Sequence, residues 1–388
     1  MAQHLVFVGL GFGGLYTLRQ LLGSLPDDSH ITAIDARERF VFTPLLYEYL
    51  VGELEPDVVA PPFETLLPDD RVDLVQAEVV DLDVRARWVQ LDDGRVIDFD
   101  TLVVAPGSVA AFHGVPGVQE HAIPFYTFDD AERLQTTLRV KRWAEGDQPV
   151  CVVGGGVVGI ELAFALAEFL GRREVGGAHP RIVVLEAMGQ ILRGFSESMR
   201  RMTRRKLDEQ GIEVRTSIRV LEVDGEGVVF ENGGRQRFDV AAVAWTAGIQ
   251  PNPLLSRFPA ERHGRHGIRV ERTLQLPGYP YVFVLGDAIS YPGRAVGAPL
   301  PDTAQAAFQQ SEVAAKNILT WIENGLPREA YTYGHLGDFL RISRTEAVAD
   351  IRGVVLDGAA ASIARRAAYL FRLPDWAIRT SAIRQWLR

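Results

Sequence analysis

Two short glycine clusters carry the clearest chemistry in this 388-residue chain. Gly9-Leu10-Gly11-Phe12-Gly13-Gly14 and Gly154-Gly155-Gly156-Val157-Val158-Gly159 both keep glycine at the first, third and sixth positions. That spacing suits a diphosphate. The first glycine makes a tight turn, the second lets the backbone approach the anion, and the third lets a helix pack closely on a strand, its N-terminus aimed at the negative charge. Each cluster follows a short β-rich run and opens a helical pattern. Each is followed by an acid at the end of the next strand, Asp35 and Glu186, able to accept hydrogen bonds from ribose hydroxyls. One such turn also occurs as a plain structural loop; two in the same context point to two dinucleotide sites.

The elements that must position these turns repeat as well. Leu5–Val8 reads as a strand, Leu15, Leu18, Leu21 and Leu22 as the apolar face of a helix, and His30–Ile34 as a second strand. Val72–Leu91 alternates, with a hairpin signal at Asp93-Gly94, and Thr101–Ala105 is a buried strand running into Pro106-Gly107. The same grammar returns in the strand Pro149–Val153, the helix Ile160–Leu170, the strand Arg181–Leu185, a hairpin over Thr216–Phe230 with Asn232-Gly233, and the strand Val240–Trp245 closing at Ala247-Gly248. The two turns lie 145 residues apart, which makes this a duplicated unit and not a short solenoid repeat. A further strand, Tyr281–Leu285, ends in Gly286-Asp287-Ala288, and a helix is expected from about Thr303 to Glu323.

Composition narrows the function classes. The length calls for two or three domains, and 47% hydrophobic with 23% charged residues is ordinary for a globular protein. A net charge of −9 and the lack of any recognition motif argue against nucleic acid as a partner. The single cysteine, Cys151, rules out an internal disulfide, a dithiol relay and a four-cysteine metal site, and no metal is expected. No apolar run reaches membrane-span length. Leu5–Leu15 lacks the basic leader of a signal peptide, so the expected compartment is the cytoplasm.

The order of an N-terminal glycine turn, an inserted second unit and a late Gly286-Asp287 pair resembles that of two-dinucleotide flavoproteins of the glutathione-reductase type, an α/β fold with two Rossmann-like domains. The resemblance implies FAD on residues 1–112 and 265–330, NAD(P)H on 113–264, and a C-terminal domain over 331–388. Phe40–Glu48 holds no cysteine where disulfide reductases of that architecture carry their redox pair. It contains instead Thr43-Pro44-Leu45-Leu46-Tyr47-Glu48, which resembles the PLLY segment of type II NAD(P)H:quinone dehydrogenases. Ala105-Pro106-Gly107-Ser108, Gly159-Ile160-Glu161, Trp245-Thr246-Ala247-Gly248 and Ala304-Gln305-Ala306-Ala307-Phe308-Gln309 resemble the same family across nearly the whole chain. Gly334-His335-Leu336-Gly337-Asp338 and Arg365–Pro374 are similar to the type C cyanobacterial and plastid branch, whose members reduce naphthoquinones such as demethylphylloquinone. Leu336 stands where many members have lysine, so no lysine role carries over.

This resemblance implies a non-proton-pumping oxidoreductase in which hydride passes from NADH to FAD and two electrons then reduce a membrane quinone, menaquinone or phylloquinone-like. Gly9, Gly11, Gly13, Gly14, Asp35, Pro44, Leu45, Ala105, Gly107, Gly286, Asp287, Ala304 and Gln305 would hold FAD. Gly154, Gly156, Val157, Val158, Gly159, Glu161, Glu186, Ala247 and Gly248 would hold NAD(P)H. Glu186 favours NADH because a carboxylate repels a 2′-phosphate; NADPH stays open. Glu161, Gln305 and Gln309 are the expected catalytic residues: the two amides could orient a quinone carbonyl, and Glu161 could serve a proton route. A helix beginning near Pro301-Asp302-Thr303 would aim its positive end at the reduced flavin.

The tail explains access to a lipid-soluble acceptor. From Ala359 to Arg388 it carries Arg365, Arg366, Arg372, Arg379, Arg384 and Arg388 against the single acid Asp375. Ile363, Ala367, Leu370 and Phe371 share a helical face, Pro374 breaks the helix, and Trp376, Ile383, Trp386 and Leu387 suggest a second apolar face. That pattern fits helices lying on an anionic membrane surface, peripherally on the cytoplasmic side. Packing of the tail on the protein body or on a second subunit, as in a homodimer, is the competing reading. Two other functions stay open: a soluble ferredoxin or rubredoxin reductase, and a redox-sensing protein that holds both nucleotides and barely turns over.

Overall fold

A computed structural model of the chain describes residues 3–141, 148–171, 180–260, 267–290 and 303–388. It divides into two compact units. One comprises Met1–Phe40, Pro61–Val109 and Gln250–His335; the other comprises Val41–Ala60, Ala110–Ile249 and Leu336–Arg388.

The first unit is built on a six-stranded sheet, in the order Gln275–Leu276, Tyr279–Val284, Thr101–Val104, His4–Val8, His30–Asp35, Val72–Gln76. His4–Val8 runs parallel to both neighbours, with Val8 level with Ile34 and Val104. Leu5, Val6 and Phe7 are fully buried, as expected of a parallel strand covered on both faces. The helix Phe12–Leu22 buries Leu15, Leu18 and Leu21 and packs against the helix Ala304–Asn324. Thr303 caps the latter, its hydroxyl accepting the Ala306 N–H; the expected lead-in residues Pro301 and Asp302 lie outside the described residues. Val79–Asp83, Trp88–Leu91 and Val96–Asp98 form a small antiparallel sheet that turns at Gly94, whose φ of +88° favours glycine. Here the reading of Val72–Leu91 as one alternating hairpin segment is corrected. Val72–Gln76 pairs in parallel with His30–Asp35, a long-range partner that local alternation does not reveal.

The second unit repeats the plan. Its parallel sheet has the order Glu213–Thr216, Ile182–Glu186, Val150–Val153, Ala242–Trp245, Ala122–Pro124, and Val150–Val153 takes the central place. The helix Val157–Gly171 is buried nearly all round, which its unbroken apolar sequence requires. The expected second hairpin is a three-stranded antiparallel sheet, Arg219–Val223, Gly227–Glu231 and Arg235–Asp239, with Gly233 at positive φ in its second turn. Cys151 is fully buried in the central strand, and burial pushes its thiol up to about 12, so it is a small core residue and no nucleophile.

The chain ends in an antiparallel sheet, Asp338–Arg341, Ala347–Ile351 and Val354–Asp357, followed by the helices Gly358–Arg372 and Trp376–Trp386 on either side of Pro374. Two residues expected on the membrane side of these helices are in fact inside. Arg365 is 2% exposed and ion-paired, and the Trp386 ring is buried with the Arg366 guanidinium over it. Helical periodicity finds the two faces of such a helix but does not reveal that a charged residue has a buried partner over 300 positions away in the chain. Ile363, Phe371, Trp376, Ile383 and Leu387 are exposed. Among the described residues no helix is long and apolar enough to cross a membrane.

Candidate cofactor sites and a buried ionisable cluster

The two glycine turns have the same internal chemistry. In the first, the Gly9 N–H donates to the Ile34 carbonyl at 2.8 Å; in the second, the Gly154 N–H donates to the Leu185 carbonyl at 2.8 Å. Gly9 and Gly154 have φ of +89° and +118°. A Cβ on Gly9 would lie 2.3 Å from the Ala105 carbonyl oxygen, and one on Gly154 2.6 Å from that of Thr246. The sixth-position glycines are just as constrained: a Cβ on Gly14 would sit 2.0 Å from the Gly9 oxygen, and one on Gly159 1.9 Å from the Gly154 oxygen. At the middle glycines the protein makes no such demand. A Cβ on Gly11 or Gly156 would meet nothing within 4 Å. Outer glycines are thus fixed by folding, while the middle ones face open space at the first turn of a helix, as a close-approaching diphosphate needs.

Asp35 and Glu186 also do matching work that spacing alone did not show. Asp35, buried at the end of its strand, accepts the Leu10 N–H at 2.8 Å and is held by the Arg37 guanidinium at 3.0 and 3.1 Å. Glu186 accepts the Gly155 N–H at 2.6 Å and the Met188 N–H at 2.7 Å. Each acid therefore clamps the second residue of its own glycine turn, so it shapes the cradle before any ribose is bound.

The other expected residues have the following surroundings. Ala105 backs Gly9 through its carbonyl, Gly107 has φ of +68°, and Gly13 packs towards Leu285. Asp287 accepts the Ser108 hydroxyl at 2.7 Å; burial raises its carboxyl while that hydrogen bond works the other way. Gly286 donates its N–H to the buried Gln310 amide oxygen at 2.6 Å, a contact that sequence reading missed because Gln310 looks like one more helix residue. Ala304 is the first residue of its helix, and Val157 and Val158 open theirs. In the second unit the His113 Nε2–H donates to the Ala247 carbonyl at 2.7 Å beside Gly248, which has φ of +112°.

The two glutamines are both engaged. Both ends of the Gln309 amide clamp Gly334, the amide nitrogen donating to its carbonyl at 2.7 Å and the amide oxygen accepting its N–H at 2.8 Å. The Tyr333 hydroxyl donates to Gln305 at 3.1 Å and contacts His335 at 3.2 Å.

Glu161 lies in a buried ionisable cluster within the second unit. It is 5% exposed and accepts the Arg341 backbone N–H at 2.6 Å, and the Tyr47 hydroxyl is hydrogen-bonded to it. Burial pushes its carboxyl up to about 7, against the pull of Arg365. Arg341, 1% exposed, reaches Glu53 at 2.8 Å and Glu168 at 2.6 Å. Arg365 pairs with Glu48 at 2.6 Å and donates to the Pro44 carbonyl at 3.1 Å, while the neighbouring Leu45 is fully buried. Glu161 and Pro44-Leu45 were expected site residues; Tyr47 and Glu48 appeared only inside a motif, and the arginines that hold them were not foreseen as site residues. A carboxyl held near neutrality in a water-poor setting can take and release a proton at ordinary pH. Among the described residues no group of side chains is arranged to hold a metal ion.

The pyridine nucleotide-disulphide oxidoreductase family model matches residues 3–311. The chain is 34% identical to demethylphylloquinone reductase of Synechocystis sp., over 99% of this chain and 95% of that protein. It is 29% identical to the type II NADH:quinone oxidoreductase of Staphylococcus aureus, over 94% of this chain and 93% of that one. The structure of NDH2 from Plasmodium falciparum in complex with NADH superposes with a TM-score of 0.85 at 17% identity, covering 100% of this chain and 98% of that one, a likeness of fold. The matched turns, the length of these alignments and the family model together establish that the chain belongs to the pyridine nucleotide-disulphide oxidoreductase family, among its type II NAD(P)H:quinone oxidoreductases.

Proposed function

We propose that the chain is a peripheral, non-proton-pumping NAD(P)H:quinone oxidoreductase whose acceptor is a naphthoquinone of the menaquinone or phylloquinone kind. The observation that carries the two-nucleotide part of this reading is the pair of equivalent cradles, each with open space over its middle glycine and a carboxylate clamping the adjacent N–H; the naphthoquinone acceptor is supported by the likeness to demethylphylloquinone reductase. A dinucleotide fits such a cradle, and nothing in the chain itself needs those glycines to be bare.

FAD is assigned to residues 1–112 and 265–330, with the Gly9–Gly14 turn on its diphosphate and the Ser108–Asp287 pair towards its ribityl chain. Residues 113–264 take the nicotinamide, with Glu186 favouring NADH. Bound FAD supplies two-electron acceptance from NAD(P)H and two-electron delivery to a quinone. The chain's own residues do the rest. The Thr303-capped helix offers a positive end worth about 0.3–2 kcal/mol to a nearby anion. Gln309 fixes Gly334, Gln305 fixes Tyr333, and these amides order the acceptor side without adding charge. Glu161 holds the exchangeable proton.

Residues 331–388 are assigned to membrane association on the cytoplasmic side. Ile363, Phe371, Trp376, Ile383 and Leu387 present apolar surface to solvent, with Arg384 and Arg388 exposed beside them. The deciding measurement is steady-state oxidation of NADH and NADPH by menaquinone analogues, alongside sedimentation with anionic liposomes. We expect quinone-dependent NADH oxidation, and loss of sedimentation on changing Phe371 and Trp376 to serine. Slow quinone turnover with fast reduction of a small iron–sulfur protein would reject the acceptor assignment. Undiminished sedimentation of the double variant would reject the membrane face.

A further inference from the structure

The buried cluster contains more machinery than a single proton-bearing acid requires. Glu161 is faced by Tyr47 and Glu48 from Leu46–Leu50, by Arg341 from Asp338–Arg341, and by Arg365 and Tyr369 from Gly358–Arg372; Glu168 lies on its own helix. Glu53 completes the acids and Arg366 the bases, approaching each other at 3.6 Å. Four carboxyls thus meet three guanidiniums. Arg365 is committed to Glu48, and Arg341 is shared between Glu53 and Glu168. Among the described residues, Glu161 is the one acid of the four with no guanidinium in hydrogen-bond contact. One proton on it neutralises the cluster, and its departure leaves every ion pair intact.

Arg365 has a second attachment. The same guanidinium that pairs with Glu48 donates to the Pro44 carbonyl and lies 4.8 Å over the Tyr369 ring. Its two contacts on the Pro44–Glu48 stretch bracket Tyr47, whose hydroxyl meets Glu161.

We propose that Arg365 is a positioning residue for proton exchange at Glu161: tied to Glu48 and Pro44, it holds the Tyr47 hydroxyl against Glu161 and sets how readily Glu161 gives up its proton. This rests on the reading of Glu161 as the proton-handling group. Glu161 then alternates between acid and carboxylate, one proton in and one out, while Tyr47 keeps its own. Arg365 favours the carboxylate by charge; Glu48 prevents that charge from trapping it there.

The test is an infrared titration of carboxyl protonation in the FAD-loaded enzyme, the Glu161 signal being identified by its loss in Glu161→Gln, together with the pH profile of kcat. Arg365→Met should raise the Glu161 midpoint by about one pH unit or more, and the pH profile should move the same way. Arg365→Lys, which keeps the charge, should stay closer to the unsubstituted enzyme. If Arg365→Met does not fold, Glu48→Gln/Arg365→Met removes the pair without leaving a lone buried charge, and should still raise the midpoint, by less. A midpoint unmoved in every folded variant overturns the proposal while leaving Glu161 as the proton site. A midpoint that moves while Glu161→Gln keeps the unsubstituted pH profile overturns the reading of Glu161, and the proposal falls with it.

Discussion

Replacing Gly11 or Gly14 by alanine adds the same methyl group three residues apart and should have opposite consequences. At Gly11 the new Cβ meets no atom within 4 Å, and φ is −73°, which any residue adopts. Restricting the unfolded chain contributes about 0.4–1 kcal/mol of stability. Alanine is a poorer helix N-cap than glycine by an amount of similar size, up to about 1 kcal/mol, so the net change in the FAD-free protein is close to zero. At Gly14 the Cβ would sit 2.0 Å from the Gly9 oxygen, a backbone atom that cannot move without breaking the turn. Overpacking of this kind costs at least about 1–3 kcal/mol. Thermal unfolding of the FAD-free protein and FAD titration by flavin fluorescence separate the two. Gly11→Ala should unfold like the original protein and bind FAD at least about tenfold more weakly, a loss of ~1.4 kcal/mol; Gly14→Ala should be unstable. Unchanged FAD affinity in Gly11→Ala would refute the assignment of that open space to the diphosphate. A strongly destabilised Gly11→Ala would refute the packing argument itself.

Three further outcomes are expected. Glu161 is raised from 4.5 to about 7, so the folded state binds the extra proton between those values. Stability should therefore fall as pH rises through that window, by a contribution of about 3 kcal/mol at most, and urea titrations of Glu161→Gln should lack that component. Arg341→Met leaves the buried Glu53 and the half-buried Glu168 without their shared guanidinium and should cost about 3 kcal/mol in urea unfolding, the Glu53 pair carrying most of it. Gln309→Ala releases Gly334 and should slow quinone reduction more than flavin reduction in stopped-flow half-reactions; equal losses would count against an acceptor-side role.

What the sequence disclosed follows from which interactions are local. Glycine spacing, apolar period and turn residues are short-range signals, and they located both glycine turns, the strands leading into them and the break at Pro374. Val72–Gln76 was misassigned because its partner strand lies some forty residues away, and strand pairing is not encoded in local alternation. The same limit hid the Glu161 surroundings. Glu48 and Arg365 are 317 positions apart, and a charged residue on a helix gives no local sign of whether it faces solvent or a buried partner. Asp35 and Glu186 are legible by position, but their grip on Leu10 and Gly155 is not, since a carboxylate that will accept from a sugar and one that will accept from backbone look alike in sequence.

The helix Gly358–Arg372 turns Ile363 and Phe371 outward and Arg365 inward. Deleting it to test the proposed membrane face would therefore be a poor strategy, because the cut that strips away the exposed apolar side chains also empties the interior of a cation on which Glu48 depends. The outer face is better altered one residue at a time. A shortened variant that reacts slowly would then say little about whether that outer face meets a bilayer at all.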